Sequence, residues 1–245
     1  MSEIVKTEAI VLSKINFRDS SNIASIFTEE LGKISVIIKG ARSPKSKYGK
    51  IVDPLNYLSI VLYKKETRDV QLLSGADIVE HFPRIKQDLN KLSFAYGILE
   101  LIKNLLAEHE VNKKIFKGAI KIFARLDSGK EKPAISFSRF LFFFLKETGY
   151  EIQIDICAIC GKEISNDNSY YHRDKGVICG NCKMSVVDIY KINAELLVYL
   201  NCLKRGKSAD NFSNLIIQKA IVFMEDHLKF HIPDFKGISS LKLIN

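Results

Sequence analysis

Four of the five cysteines in the chain form two Cys-x-x-Cys pairs, at a spacing suited to binding one metal ion. The first pair is Cys157 and Cys160, the second is Cys179 and Cys182, and eighteen residues separate the two pairs. A Cys-x-x-Cys turn presents two thiolates on one side, so two facing turns complete a tetrahedral shell of four sulfurs. Because Zn²⁺ prefers such a shell, we predict one structural Zn²⁺ site at these cysteines.

Other uses of these cysteines fit the sequence less well. A redox dithiol needs only one Cys-x-x-Cys, and structural disulfides need an oxidising compartment to which nothing in the sequence points. A catalytic zinc ion keeps an open coordination position, usually beside histidine or carboxylate ligands. The His-x-Glu element of zinc deaminases is absent from the chain. His172 could replace one cysteine as a ligand, but we expect it to be a surface residue.

The residues between the two cysteine pairs predict a zinc ribbon. Ser169–His172 and Gly176–Cys179 are each rich in β-forming residues, and a turn containing Asp174 and Lys175 separates them. We place the ribbon at about residues 153–185.

The rest of the composition predicts a soluble cytoplasmic protein. The amino terminus carries charges where a signal peptide needs an apolar run. The most apolar segment, 135–145, is too short to span a bilayer and contains Arg139, so no membrane association is expected.

No paired-carboxylate or Ser/His/Asp arrangement stands out. Gly206-Lys207-Ser208 lacks the earlier glycine of a phosphate-binding loop, since position 201 is Asn. We therefore expect no enzymatic activity.

Positive charge is concentrated before the metal site. The net charge is +9, with 37 Lys and Arg against 28 Asp and Glu. Residues 33–52 contain no acidic side chain and six basic ones, which we predict to bind the phosphate backbone of a nucleic acid: Lys33, Lys39, Arg42, Lys45, Lys47 and Lys50. Tyr48 offers a surface for base stacking. The alternative is a solvated loop, which is the commoner role of a charge run.

Other basic and aromatic residues give weaker signals. Lys113, Lys117 and Lys121 would form one stripe on a helix, where a solvated face is the simplest interpretation. Tyr57 and Tyr63 share one face of a strand and could stack on bases, although packing is the more common role of such residues.

The pattern of apolar residues predicts an α+β protein with two domains and the inserted ribbon. Five β-rich runs lie in residues 3–75 with no amphipathic helix among them, which favours a small barrel such as the OB-fold but leaves other small barrels open. Beyond Pro83, three- and four-residue apolar steps predict helices. We assign residues 1–80 to an OB-fold β-barrel and 81–245 to an α-helical domain, and expect the last residues, 237–244, to be extended.

Taken together, these features resemble the RecO family of bacterial recombination mediator proteins. The most specific stretch is Leu31-Gly-Lys33 followed by Lys39-Gly-Ala-Arg42, and the resemblance extends to Lys6–Leu12 and Ser240–Leu243. The segment Phe17-Arg18-Asp19-Ser20 departs from the family pattern, in which Gly-Glu is expected before the serine.

The resemblance implies a non-catalytic role in DNA repair. Members of the family bind single- and double-stranded DNA, anneal complementary strands and act with RecR and the single-stranded-DNA-binding protein SSB, whose carboxyl-terminal tail they contact. They thereby help RecA to load on SSB-coated DNA, and the expected location is the bacterial cytoplasm, at repair sites on the nucleoid. An RNA- or transcription-associated zinc-ribbon protein is the alternative interpretation.

Overall fold

The computed structural model describes residues 3–164 and 168–243. Residues 1–2, 165–167 and 244–245 belong to the predicted barrel domain, ribbon and carboxyl-terminal segment, and they lie outside the described residues. The described chain groups into two compact units, one formed by residues 3–129 with 238–243 and the other by residues 130–237. Among the described residues, no helix is long and apolar enough to cross a membrane.

The first unit contains a closed five-stranded barrel. Its strands are β1 (Glu3–Phe17), β2 (Ser21–Thr28), β3 (Gly32–Ile38), β4 (Tyr57–Lys64) and β5 (Val70–Glu80), with a short helix α1 (Tyr48–Ile51) between β3 and β4. Neighbouring strands follow the order β1-β2-β3-β5-β4, and β4 closes the barrel against β1. All pairs are antiparallel except β3 with β5. This is the five-stranded OB-type barrel that the sequence predicts.

Alternation along the strands fills the barrel. Ile34, Val36 and Ile38 of β3 point inward and are buried, together with Ala24 and Ile26 of β2, which pair with Val36 and Ile34. Because strand side chains alternate between faces, the intervening positions are left to the barrel exterior. The barrel interior is thus a packed core, and ligand contact falls to its loops and outer faces.

Three α-helices of the first unit follow the barrel in the chain: α2 (Pro83–Lys86), α3 (Leu89–Leu105) and α4 (Lys113–Ser128). Asp88 and Asn112 cap α3 and α4 through side-chain oxygens that accept backbone N–H bonds. The buried ring of Phe116 on α4 lies edge-on to Phe27 and Tyr57 of the barrel, with centroids 5.7 and 6.2 Å apart. Aromatic packing therefore joins α4 to the barrel within this unit.

The expectation that the carboxyl-terminal segment 237–244 is extended is wrong for residues 239–243. Ser239–Leu243 form a 3₁₀ helix, while Ile244 lies outside the described residues. The Glu100 carboxylate on α3 accepts hydrogen bonds from the Ser239 and Ser240 amides, at 2.7 and 3.0 Å. A carboxylate that accepts hydrogen bonds from the free N–H groups at the start of a helical turn stabilises that turn. The sequence of the segment itself does not show this contact, because the carboxylate belongs to a distant residue.

Among its described residues, the second unit contains three α-helices, a 3₁₀ helix at Lys183–Ser185 and a three-stranded sheet. The helices are α5 (Pro133–Glu147), α6 (Ala194–Lys204) and α7 (Asn214–His231), and the strands, in spatial order, are β7 (Gly176–Cys179), β6 (Ser169–His172) and β8 (Tyr190–Lys191). The two long strands coincide with the predicted ribbon strands. Phe137, Phe140 and Phe144 of α5 are fully buried, which makes this helix central to its unit.

The cysteine-bearing segment lies between α5 and α6 in the chain. The first unit includes α3 and α4, which the sequence analysis assigned to the helical domain. Compactness alone does not define a domain that folds independently, so the boundary near residue 80 stays a prediction.

Candidate nucleic-acid interface and metal centre

The segment 39–52 leaves the end of β3 and folds back over the barrel. Its apolar residues point inward: Ala41 and Val52 are buried in the barrel core, and Tyr48 and Ile51 pack against that core. The basic side chains remain outside and exposed: Lys39, Arg42, Lys45, Lys47 and Lys50. We call these five residues the basic loop. Anchoring by the apolar residues fixes the loop backbone, so the five charges share one exposed segment.

A close backbone approach holds the basic loop in shape. A Cβ atom added at Gly49 would lie 1.8 Å from the carbonyl oxygen of Ala41, so no larger residue fits without moving the chain. The Gly49 amide donates to Ser46 Oγ at 3.1 Å, and the Gly49 carbonyl accepts from Lys14 Nζ at 3.2 Å. The glycine therefore sets the path of the loop.

The basic loop is also bound to the turn between β1 and β2. The Arg42 amide donates to the carbonyl of Ser20 at 2.9 Å, and its guanidinium NH1 donates to the carbonyl of Arg18 at 3.0 Å. Arg18 and Phe17 were not among the residues predicted from the sequence. Their contact with the basic loop depends on strand pairing, and the only local signal was a basic residue beside an aromatic one in a turn.

Two carboxylates approach this surface from outside the acid-free stretch. Asp77 of β5 lies 3.2 Å from Lys47 Nζ, and Asp53 lies 2.8 Å from Lys14 Nζ. The Lys47–Asp77 pair is highly exposed, so it contributes at most about 1 kcal/mol and is screened by salt. A phosphate group can therefore compete for Lys47.

Lys33 occupies a different environment from the other predicted residues. It is buried at the start of β3, and Nζ donates to the carbonyl of Lys103 at 2.5 Å and lies 3.4 Å from Glu108 Oε1. The basic loop leaves the opposite end of the same strand. Because its charge is already committed inside the first unit, we leave Lys33 out of the proposed nucleic-acid surface.

The lysine stripe of α4 faces acidic residues. Lys113 lies 2.6 Å from Glu30 and Lys117 lies 3.3 Å from Glu29, at the turn between β2 and β3. That turn is at the end of β3 away from the basic loop.

Tyr57 packs on Phe116 and its hydroxyl bonds the Glu8 carboxylate, so its role is packing. Burial and the carboxylate raise the pKa of Tyr57 above its ordinary range.

The four cysteines of the two pairs converge at one point in the second unit. Their sulfur atoms all lie within 4.8 Å of one another, and Cys160 Sγ is 3.8 Å from Cys179 Sγ. A tetrahedral ZnS₄ centre with Zn–S bonds of about 2.3 Å has sulfur–sulfur edges of about 3.8 Å. The four residues can thus hold a metal ion, and the geometry fits Zn²⁺.

Backbone turns aim the thiols at the centre. The Gly161 amide donates to the Cys157 carbonyl at 2.9 Å, with Gly161 in the left-handed region at φ 69°. The Cys182 amide donates to the Cys179 carbonyl at 3.0 Å in the second turn. Glycine adopts positive φ without strain, so it suits the turn that brings the first pair of sulfurs together.

The electrostatics of the cluster are compatible with a bound cation. Burial opposes ionisation of Cys157, but amides of Cys179, Cys160 and Ile159 direct their N–H groups to its sulfur and lower its pKa to about 6. Hydrogen bonds with the thiols of Cys160 and Cys179 raise the pKa of Cys182 to about 12. Four sulfurs this close cannot all be thiolates unless a positive ion compensates them.

A buried hydrogen-bonded pair fastens the ribbon to α7. The Tyr171 hydroxyl of β6 lies 2.5 Å from His227 Nδ1, and His227 Nε2 lies 3.1 Å from the Tyr150 carbonyl. A carbonyl only accepts, so Nε2 carries the proton and Nδ1 accepts from Tyr171. Burial, reinforced by the neighbouring His231, lowers the pKa of His227 to about 4, which keeps it neutral near pH 7.

Models of known protein families match both the barrel and the helical part of the chain. A model described as "Recombination protein O N terminal" matches residues 1–82, and one described as "Recombination protein O C terminal" matches residues 86–236. The second match alone covers more than half of the chain. The chain belongs to the RecO family.

Individual relatives agree with this assignment. A DNA repair protein RecO from Geobacter metallireducens is 30% identical over 233 residues, covering 94% of this chain and 93% of that protein. One from Chlorobium phaeobacteroides is 37% identical over 177 residues, covering 72% of this chain and 67% of the relative. One from Chlorobium limicola is 36% identical over 162 residues, and the chain spans 62% of that protein's length. The relatives that the chain matches are thus proteins described as DNA repair proteins of the RecO type.

Proposed function

We propose that the chain binds single- and double-stranded DNA and anneals complementary strands. In this proposal it acts with RecR to help RecA load on SSB-coated single-stranded DNA, and it has no catalytic activity of its own. The observation that carries the proposal is the basic loop, whose five exposed cations project from an OB-type barrel. Loops of such barrels bind oligonucleotides in many proteins.

The mechanism is electrostatic. Two complementary strands repel each other, and a surface that holds cations against both backbones lowers this repulsion and raises the local strand concentration. Each phosphate that a lysine or arginine neutralises releases counterions, so affinity falls as salt rises. Five contacts to a single strand, at a slope of about 0.7 each, predict roughly 100-fold weaker binding at about 200 mM salt than at about 50 mM.

Charge reversal in the basic loop tests this proposal. The double variant Arg42→Glu/Lys45→Glu should bind all DNA sequences more weakly, with the slope of log affinity against log salt reduced by about 1.4 for single strands and about 1.8 for duplexes. Fluorescence anisotropy over a salt series measures both effects. A loss that depends on base sequence, or an unchanged slope, would contradict backbone binding by these residues.

The matched control places the same charge change on the ribbon. Lys162 and Lys175 are exposed in the second unit, and Lys162→Glu/Lys175→Glu alters the net charge as much as the loop variant does. It should retain the affinity of the wild-type protein to within about twofold, because those residues lie outside the basic loop. An equal loss in both variants would mean that only the overall charge matters.

We further propose that Zn²⁺ occupies the four-cysteine cluster as a structural ion. Four thiolate ligands saturate a tetrahedral ion and leave no position for water or substrate. The ion would hold the two turns of the ribbon together and compensate the charge of the thiolates.

For the SSB tail, which is acidic with an apolar end, we propose a groove in the second unit. The groove has a volume of about 680 Å³, and its lining includes the apolar Ile154, Ile156 and Val198 and the exposed Arg205 and Lys207. Two carboxylates also line it: Asp155, which is paired with Lys204, and Glu163. Apolar side chains would take the end of the tail, and the cations would face its carboxylates. An SSB-tail peptide should bind the wild-type protein at low salt, and Arg205→Glu/Lys207→Glu should abolish that binding; a peptide that binds both proteins equally would refute the assignment.

A further inference from the structure

The turn between β1 and β2 joins an aromatic ring and a cation at the edge of the basic loop. Asn16 pairs with Asn22 and Phe17 pairs with Ser21, so Phe17 is the last paired residue before the turn. The Arg18 guanidinium carbon lies 5.2 Å from the centroid of the Phe17 ring, within the range of a cation–π contact. The ring is half-buried and Arg18 is exposed.

This turn is held rigidly against the basic loop. The backbone amide of Arg42 donates a hydrogen bond to the Ser20 carbonyl, and one guanidinium N–H of Arg42 donates to the Arg18 carbonyl. Arg18 also adopts a left-handed conformation, with φ of 51°, which is uncommon for a residue other than glycine. The bonds from Arg42 compensate this strain and fix the position of Phe17 relative to the basic loop.

The second aromatic–cation pair on this surface differs in one respect. Lys47 Nζ lies 5.9 Å from the centroid of Tyr48, but the Tyr48 ring packs against the barrel core. Part of the Tyr48 ring is therefore covered by the barrel core and is not open to a ligand. Phe17, at the tip of a hairpin, is placed to offer its ring to a ligand.

We propose that Phe17 and Arg18 form a stacking site for an unpaired base beside the phosphate track of the basic loop, a site that favours single-stranded over double-stranded DNA. The proposal rests on the proposed function, because the basic loop must hold the backbone for a base to reach the ring. Bases of a single strand expose their faces, whereas those of a duplex are stacked on each other. Proteins that bind single strands combine a basic groove with aromatic side chains on which bases stack. Asp19, in the same turn, adds one negative charge that disfavours closer phosphate contact there.

Phe17→Leu separates stacking from charge, because it removes the ring and keeps an apolar side chain. Three fluorescent probes of about 16 nucleotides, the upper end of OB-fold site sizes, are compared by anisotropy: a single strand, the matching duplex and an abasic strand with the same number of phosphates. We expect Phe17→Leu to lose about 5- to 150-fold in affinity for the single strand. Affinity for the abasic strand and the duplex, and the salt slope, should stay as in the wild type.

Arg18→Gln gives an independent test that leaves the ring in place. It should weaken binding of all three probes and lower the single-strand salt slope by about 0.7, since it removes one cation. Phe230→Leu is the matched control, because Phe230 carries a similar cation–π contact with Arg173 at 5.5 Å in the second unit. It should leave all three affinities unchanged.

The outcomes distinguish this inference from the proposed function. The stacking site would be overturned if Phe17→Leu preferred the base-bearing strand over the abasic strand as strongly as the wild type does. It would also be overturned if Phe230→Leu lost as much affinity for the single strand as Phe17→Leu does. In either case Arg42→Glu/Lys45→Glu could still lower the salt slope, and the phosphate track would survive. Wild-type protein that binds none of the probes would overturn both.

Discussion

Replacing Lys33 with Met should destabilise the first unit and leave DNA binding intact. The Lys33 side chain is 9% exposed, and its ammonium group bonds the carbonyl of Lys103 in the last turn of α3. Carbonyls at a helix end have no partner within the helix, and a cation there is favourable both as donor and as charge. Lys33→Met keeps the apolar stem but leaves this carbonyl without its donor.

The expected loss follows from the contacts removed. A hydrogen bond from a charged donor contributes about 1.5–3 kcal/mol, and the pair with the half-exposed Glu108 adds less than about 1 kcal/mol. A loss of about 2 kcal/mol in the free energy of unfolding corresponds to a Tm lower by about 4–8 °C for a chain of this size. Circular dichroism on heating measures the Tm, and anisotropy over a salt series measures DNA affinity.

Lys39→Met is the matched control for this experiment. Lys39 follows the other end of the same strand, is exposed, and belongs to the basic loop. Its replacement should change stability by less than about 0.5 kcal/mol but lower the single-strand salt slope by about 0.7. The reasoning would be refuted by the reverse pattern, in which Lys33→Met weakens DNA binding at an unchanged Tm.

Three further outcomes are expected. Cys157→Ser should lose bound zinc and destabilise the ribbon while DNA affinity is kept; full zinc content by atomic absorption would contradict the four-sulfur site. Gly49→Ala should weaken DNA binding and lower the Tm, since its Cβ would lie 1.8 Å from the Ala41 carbonyl, and a variant with wild-type affinity would show that the loop path does not matter. Asp77→Asn should raise DNA affinity at low salt by up to about fivefold by releasing Lys47, an effect that must vanish at high salt if it is electrostatic.

Local patterns explain what the sequence predicted well. The four cysteines that converge are the predicted ones, because a Cys-x-x-Cys turn is a local structure and the two turns are joined by a short hairpin. The residues of β3 alternate between apolar Ile34, Val36 and Ile38 and the positions between them, and these three apolar side chains are buried. Because successive side chains of a strand point to opposite faces, this face can be identified from the sequence alone.

The features that were missed depend on contacts between distant parts of the chain. In the sequence, Lys33 and Lys39 fall on the same face of β3, opposite Ile34, Val36 and Ile38, but Lys33 forms a parallel bridge with Glu108 and is buried. Residues 33–52 contain no acidic side chain to balance their positive charges, yet β5 brings the carboxylate of Asp77 to Lys47. The carboxyl-terminal segment is helical where it was expected to be extended, because Glu100 caps it. In each case the decisive partner lies at least thirty residues away.

The most direct test of the account is the annealing of complementary strands coated with SSB, followed by fluorescence without ATP. The account predicts that the protein accelerates annealing, that the acceleration disappears at high salt, and that Arg42→Glu/Lys45→Glu lacks it while Lys162→Glu/Lys175→Glu retains it. A folded, zinc-loaded protein that leaves the annealing rate unchanged, or a loop variant as active as the wild type, would contradict it.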